Sequence, residues 1–288
     1  MGMLSVFYKT PFAALRGRRP TVSVLRLYGV ISPFGSPLRP ALNLAAVAGA
    51  IERAFEPKGI KAVAVAVNSP GGAPVQSALI HDRIRLLAEE KQLPVYVFCE
   101  DVAASGGYWI ACAGDEIYAN ANSIVGSIGV ISSGFGLKDM IAKIGVERRL
   151  YTSGEKKSLL DPFLPEQAGD VDRLKAVQTD MHADFKAHVR KRRGSRLAAD
   201  EETLFSGEFW TGVKAKDLGL IDGLGDLKSV MRQKFGDKVR LKVSEPSRGW
   251  LRRRMGMGSP ETPVVSDNWA SSLIDAVEAR ALWSRFGQ

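Results

Sequence analysis

The residues able to do chemistry cluster where glycines follow apolar runs. Ser105 stands in Ala104-Ser-Gly-Gly-Tyr108 at the start of a stretch that reads as a buried helix. A serine there lies at the positive end of the helix dipole, which favours a developing alkoxide. The same serine could equally be an N-cap. Asn68-Ser-Pro-Gly-Gly72 follows the buried run 62–67, so its backbone can approach a ligand closely and turn N–H groups toward it, as an oxyanion hole requires. An ordinary Pro-Gly turn would account for those residues too. A serine nucleophile needs a base, and the three histidines are poorly placed. His81 falls in the helix after the glycine turn, and His182 and His188 lie on a long amphipathic helix without the i, i+4 spacing of a zinc helix, so each reads as a satisfied or exposed histidine. That leaves lysine. Lys157, in Gly154-Glu-Lys-Lys-Ser158, follows a predicted strand and precedes an apolar stretch that could desolvate its amine. A lysine ordinarily titrates near ~10.4, and work as a base near neutrality requires lowering that by about 2–3, or roughly 3–4 kcal/mol. Two exposed loop lysines, Lys156 and Lys157, are the plain alternative.

Other chemistries lose ground. The sequence has no Cys–His zinc spacing, no Gly-x-x-x-x-Gly-Lys-Ser/Thr loop and no Gly-x-Ser-x-Gly elbow. Cys99 and Cys112 are the only cysteines, in segments that read as strand and buried helix, so they are expected to be core thiols and not a disulfide framework.

The elements that must position these residues alternate. Residues 21–31 read as a first strand, 42–55 as a helix, and 62–67 as a strand covered on both faces, ending in the glycine turn. The pattern repeats with a helix at 75–91, a strand at 94–98, a buried helix at 105–113 and a short strand at 116–119. Beyond these, a helix is predicted over 137–144 and a strand over 146–151. A long helix over 167–190 places Leu174, Val177, Met181 and Phe185 on one face. Such alternation predicts an α/β fold with a mostly parallel sheet. The 288 residues suffice for a sizeable core, and the net charge of +9 favours acidic surfaces. No apolar run is long enough to span a bilayer, and Lys9 interrupts any signal-peptide core. The expected organisation is a basic N-terminal segment at 1–20, a catalytic domain at 21–240, and a C-terminal extension at 241–288 combining a linker with an amphipathic helix.

Five segments carry a resemblance: Asn68-Ser-Pro-Gly-Gly72, Ala104 to Ala111, Ala121 to Val130, Gly154 to Phe163, and Trp210 to Asp222. In type and order the set resembles signal peptide peptidase A and its SohB-like relatives, over roughly residues 22 to 235. The resemblance implies a Clp-protease/crotonase-like spiral of strand–helix units and a serine endopeptidase with a Ser–Lys dyad. Ser105 would be the nucleophile, Lys157 the general base, and Ser127 the hydroxyl that orients the lysine amine. Gly71 or Gly72 together with Gly106 would hold the oxyanion. Neither cofactor nor metal is implied, and no nucleic-acid partner. Substrates would be signal-peptide remnants or membrane-associated polypeptides with small or hydrophobic residues beside the scissile bond.

The sequence holds one catalytic unit where long family members hold two, and no anchor segment of the family's kind. In the family, serine and lysine can come from neighbouring units, so a ring-like homo-oligomer with shared dyads is expected. A cytoplasmic protein touching the inner membrane face through Arg16, Arg18, Arg19 and Arg252 to Arg254 fits the basic clusters. Two rival readings are an acyl-CoA enzyme of crotonase-like fold, reusing the oxyanion glycines, and an inactive scaffold or basic binding module.

Overall fold

A computed structural model of the chain describes residues 19–35, 41–154, 156–244 and 280–287. Most of the predicted N-terminal segment, Arg252 to Arg254, and all but the end of the C-terminal helix lie outside the described residues.

Strand β1 (Thr21–Tyr28) leads to helix α1 (Leu44–Phe55), whose N-cap Asn43 accepts the Ala46 N–H. Strand β2 (Ala62–Ser69) and helix α2 (Pro74–Lys91) follow, with proline at the first turn of α2, where its missing N–H costs nothing. Strand β3 (Val95–Ala104) then runs six residues past the predicted end, directly to Ser105 and helix α3 (Gly106–Ala111). Next come β4 (Glu116–Ala119), β5 (Ile124–Gly126), α4 (Lys138–Lys143), the long α5 (Ala168–Arg193), α6 (Glu201–Leu204), β6 (Phe209–Thr211), α7 (Gly212–Asp217), β7 (Gly223–Leu224), α8 (Leu227–Phe235) and β8 (Arg240–Val243). The α/β class and the mostly parallel sheet are as the alternation predicts. The order is β6-β5-β3-β2-β1-β8, with β4 and β7 branching from β3, and among the described strands only β5 and β6 pair antiparallel.

The sheet centre is apolar on both faces because helices cover one side and α8 the other. Val63, Val65 and Val67 of β2 join the main core with Ile51, Ile80, Ile84 and Ile110, while Ala62 and Ala64 face Val230 and Met231 of α8. The end of α5 is clamped to this core. Arg193, 2% exposed, forks onto the Asp222 carboxylate at 2.8 and 3.0 Å and donates its Nε–H to the Gly219 carbonyl. A buried cation is tolerable only with such pairing.

Two expectations fail. Residues 146–151 form no strand; they are exposed coil apart from half-buried Leu150, because no strand among the described residues pairs with them to take their backbone bonds. On α5, Phe185 is buried as the periodicity predicts, but Leu174 and Met181 are half-buried and Val177 is 43% exposed. The described residues cover the stripe of the first half of that helix only in part. Among the described residues, no helix is long and apolar enough to cross a membrane. The C-terminal residues 280–287 return to the domain, where Phe286 packs against Val102, Ala104 and Ile124.

Candidate active site

The site is built where β3 runs out. Halfway along, β3 carries two extra residues relative to β2: Val67 pairs with Cys99, but Ser69 pairs with Ala103. The Asn68 side chain fills the gap, donating to Asp101 Oδ2 at 2.6 Å and accepting the Val102 N–H at 3.2 Å. This bulge sets the register with which the strand delivers Ser105.

Ser105 itself has φ 52° and ψ −123°. Such a conformation costs a non-glycine residue about 1–3 kcal/mol and persists only when its surroundings hold it. Here the Ser105 N–H donates to the Gly126 carbonyl at 2.8 Å, and the Ser105 carbonyl accepts the Trp109 N–H as the first turn of α3. The serine occupies the N-cap position, yet its side chain makes no capping bond. Its hydroxyl is therefore not consumed by the helix. The geometry is that of a sharp strand–serine–helix elbow, although the sequence lacks the first glycine of that pattern.

Helix α3 is anchored from behind. Tyr108 is fully buried and donates its hydroxyl to the Leu220 carbonyl at 2.7 Å. Arg192 donates to the Cys112 and Gly114 carbonyls at the C-terminal end of α3, the favourable end for a cation. Burial lifts both thiols well out of the reactive range, Cys112 to about 12, so they are core residues as expected.

The glycine turn closes over this elbow. Gly71 at φ 101° comes so near that a Cβ on it would stand 2.7 Å from the Ser105 Cβ and 2.9 Å from the Gly106 nitrogen. Gly72, at φ 136°, is pressed against the Ile31 carbonyl, where any side chain would collide. Ser69 takes the Gly71 N–H on its Oγ at 3.2 Å, which leaves the N–H groups of Gly72 and Gly106 without an acceptor among the described residues. The structure thus brings Gly71, Gly72, Ser105 and Gly106 together. The role of Ser69 went unnoticed, although a serine two residues before a glycine N–H is the signature of a serine turn.

Ser127 is 6% exposed and holds φ 54°, directly after the Gly126 that anchors Ser105. Its N–H donates to the Glu208 carbonyl at 2.6 Å. Lys157 is not part of this cluster. It is exposed, and its backbone N–H donates to the Gly154 carbonyl; no hydrogen bond joins its amine to Ser105 or Ser127.

The histidines are not at the site, but the expectation for His81 needs correcting. His81 is buried, bonded through Nδ1 to Asp82, and its Nε2 has no partner among the described residues. Its ring meets His188 edge-on, and His188 stacks on Trp109 at 4.4 Å. Burial holds the His188 imidazole neutral, with its pKa lowered to about 3. His182 reaches the Ile128 carbonyl at 3.2 Å, tying α5 to the loop after Ser127. Among the described residues no group of side chains could hold a metal ion.

A strained serine under a two-glycine turn is an arrangement many hydrolases could share, and comparison with known proteins narrows it. The model of peptidase family S49 matches residues 88–239, which include Ser105, Ser127 and Lys157. The chain belongs to peptidase family S49. Among curated relatives of this S49 chain, the chloroplastic serine protease SPPA of Arabidopsis thaliana is 32% identical over 276 residues, covering 91% of this chain and 40% of that protein. A Synechocystis sp. protein named as a protease is 32% identical over 260 residues, covering 83% of this chain and 91% of its own length. A Brucella abortus protein named Na(+)/H(+) antiporter NhaA is 51% identical over 291 residues, covering 99% of this chain and 39% of that protein. The chain thus spans about two fifths of the Brucella and Arabidopsis relatives it matches. Among solved structures, the 1510-N membrane-bound stomatin-specific protease, in a mutant form, covers 80% of this chain at 15% identity with a TM-score of 0.48.

Proposed function

We propose that this S49 chain is a serine endopeptidase that forms an acyl-enzyme on Ser105 with Lys157 as general base. The observation that carries the reading is the Ser105 elbow: a strained nucleophile position with its hydroxyl free of capping, flanked by the unclaimed N–H groups of Gly72 in the turn and Gly106 in α3. The Ser105 Oγ attacks the peptide carbonyl while its proton passes to an unprotonated lysine amine, and the carbonyl oxygen becomes an anion facing the N–H groups of Gly72 and Gly106. Collapse expels the amine, which takes the proton back. Water, activated by the same lysine, then releases the acyl group. Loss of one oxyanion donor in such a site costs about 3–4 kcal/mol of transition-state stabilisation.

The base comes from a neighbouring copy of the chain. Supporting this, Lys157 is exposed and unconnected to Ser105, and its segment carries exposed apolar residues: Ile131, Phe135, Met140, Ile144, Val146 and Tyr151. Such a surface belongs in an interface. Substrates are membrane-associated polypeptides and signal-peptide remnants with small or hydrophobic residues beside the cleaved bond. The chain works in the cytoplasm with peripheral contact at the inner membrane face, which co-sedimentation with anionic liposomes, abolished by high salt, checks. The deciding experiment is hydrolysis of a panel of hydrophobic peptides by wild type, Ser105→Ala and Lys157→Ala, each with its oligomeric state measured. Loss of activity in both intact mutant oligomers, with partial recovery after mixing subunits, is expected. Full activity in Ser105→Ala would overturn the reading.

A further inference from the structure

We infer that Trp210 is a positioning residue for the nucleophile, its indole serving as the missing side chain of Gly126. Strand β6 runs antiparallel to β5, pairing Gly126 with Phe209 and Val125 with Trp210. A Cβ built on Gly126 would stand 2.7 and 2.8 Å from Cε3 and Cζ3 of Trp210, so the edge of the six-membered ring occupies the place a side chain on Gly126 would take. An aromatic ring filling the space beside a glycine of the neighbouring strand, here diagonal to it, restores the packing and rigidity that the glycine forfeits. At Gly126 that rigidity has a specific use.

The Gly126 carbonyl accepts the Ser105 N–H at 2.8 Å, and the next residue is the strained Ser127, pinned by the Glu208 carbonyl two residues before Trp210. One short strand therefore holds the peptide that fixes the nucleophile and the residue read as orienting the lysine. Gly126, at φ 112°, would otherwise have wide backbone freedom, and Ser127 would relax from its positive φ. Glycine at 126 is in turn obligatory, because any side chain would displace the indole. Phe209, on the same strand, is 43% exposed and meets Phe286 edge-on at 5.1 Å.

The inference rests on the serine-peptidase reading, and the two can fail separately. The test compares wild type, Trp210→Phe and Trp210→Ala as intact oligomers, using a fluorophosphonate probe that labels activated serines and a fluorogenic alanine- and leucine-rich peptide. Expected are labelling of wild type at Ser105, a 10- to 100-fold fall in both labelling rate and kcat for Trp210→Ala with KM within about twofold, and recovery to at least a third of wild-type kcat in Trp210→Phe. Should Trp210→Ala fail to fold, Trp210→Leu, which keeps apolar bulk without a flat face, carries the same expectation. A folded Trp210→Ala or Trp210→Leu oligomer with kcat within twofold of wild type, or a change confined to KM, would overturn the inference while leaving the peptidase reading intact. An unlabelled, inert wild type would sink the peptidase reading and this inference with it.

Discussion

Around Ser105, the residues Val102, Ala103, Ala104, Gly106 and Tyr108 are all buried, and the backbone on either side is bonded to three separate segments. Around Lys157 the chain is built quite differently: between Ile131 and Lys157, Ile141 is the one buried position among the described residues. What order exists there is local, as where Leu137 N–H donates to the Pro162 carbonyl and Arg148 pairs with Asp161 at 2.9 Å. The nucleophile's half is completed by the fold of a single chain, and the lysine's half presents a surface that a single chain leaves open. Shared catalysis would follow from that division, because an exposed lysine becomes an effective base only where packing removes water from it.

The largest effects should come from the two ends of the comparison. Ser105→Ala and Lys157→Ala should each lower peptide hydrolysis by at least about 10³-fold, and subunit mixing should recover part of it. No recovery on mixing would place both residues in one chain's site. Next in size, Gly72→Ala should cost about 3 kcal/mol of stability, since its methyl has only the Ile31 carbonyl to displace. Gly134→Ala and Gly136→Ala, with open space around them, should stay within about 0.5 kcal/mol. Denaturant titration of all three would erase the contrast if they proved equal.

A charge placed on the open half sharpens it further. Tyr151, 90% exposed, replaced by Asp should leave the melting temperature of the folded unit unchanged but weaken self-association, seen as a lower mass by light scattering and lower activity. On the buried side, His188 is kept neutral in the fold down to about pH 3, whereas an unfolded histidine titrates near ~6.5. Below that value the unfolded chain takes up a proton that the fold refuses, so stability is lost as pH falls from about 6.5 toward 3. His188→Phe, which can still stack on Trp109, should flatten part of that fall; an unchanged pH profile would refute the cause. The smallest effect concerns strain. Ser105→Gly should be more stable than Ser105→Ala by about 1 kcal/mol, because only the glycine relieves the positive φ.

Much of the buried half was legible in the sequence. The unbroken β-branched run of β2, the glycines at 71 and 72, and a serine at a strand-to-helix junction are local signals with local causes. The elbow was hidden because its first motif glycine is absent; Ala103 and Ala104 are small enough to do without it. The extension of β3 through Glu100 and Asp101 was hidden too, since two adjacent acidic residues give no strand signal until Asn68 is seen to hold Asp101 and the Val102 N–H. The open half was misread for a different reason. The apolar residues Val146, Leu150 and Tyr151 and the stripe of Leu174, Val177 and Met181 suggest cover, and nothing in them says what supplies it.

The fork in the sheet has a consequence for how such a protein can change over generations. Strand β3 pairs with β4 along Tyr96 to Cys99 and with β5 along Val102 to Ala104. The β4–β7 branch is locked to the core through Asp222 and Arg193, while the β5–β6 branch carries Gly126, Ser127 and Trp210. The residues that aim the chemistry thus hang on a limb separate from the one that secures the fold. On the proposed reading, variation on that limb would change how fast a peptide is cut while the trunk it grows from is inherited unaltered.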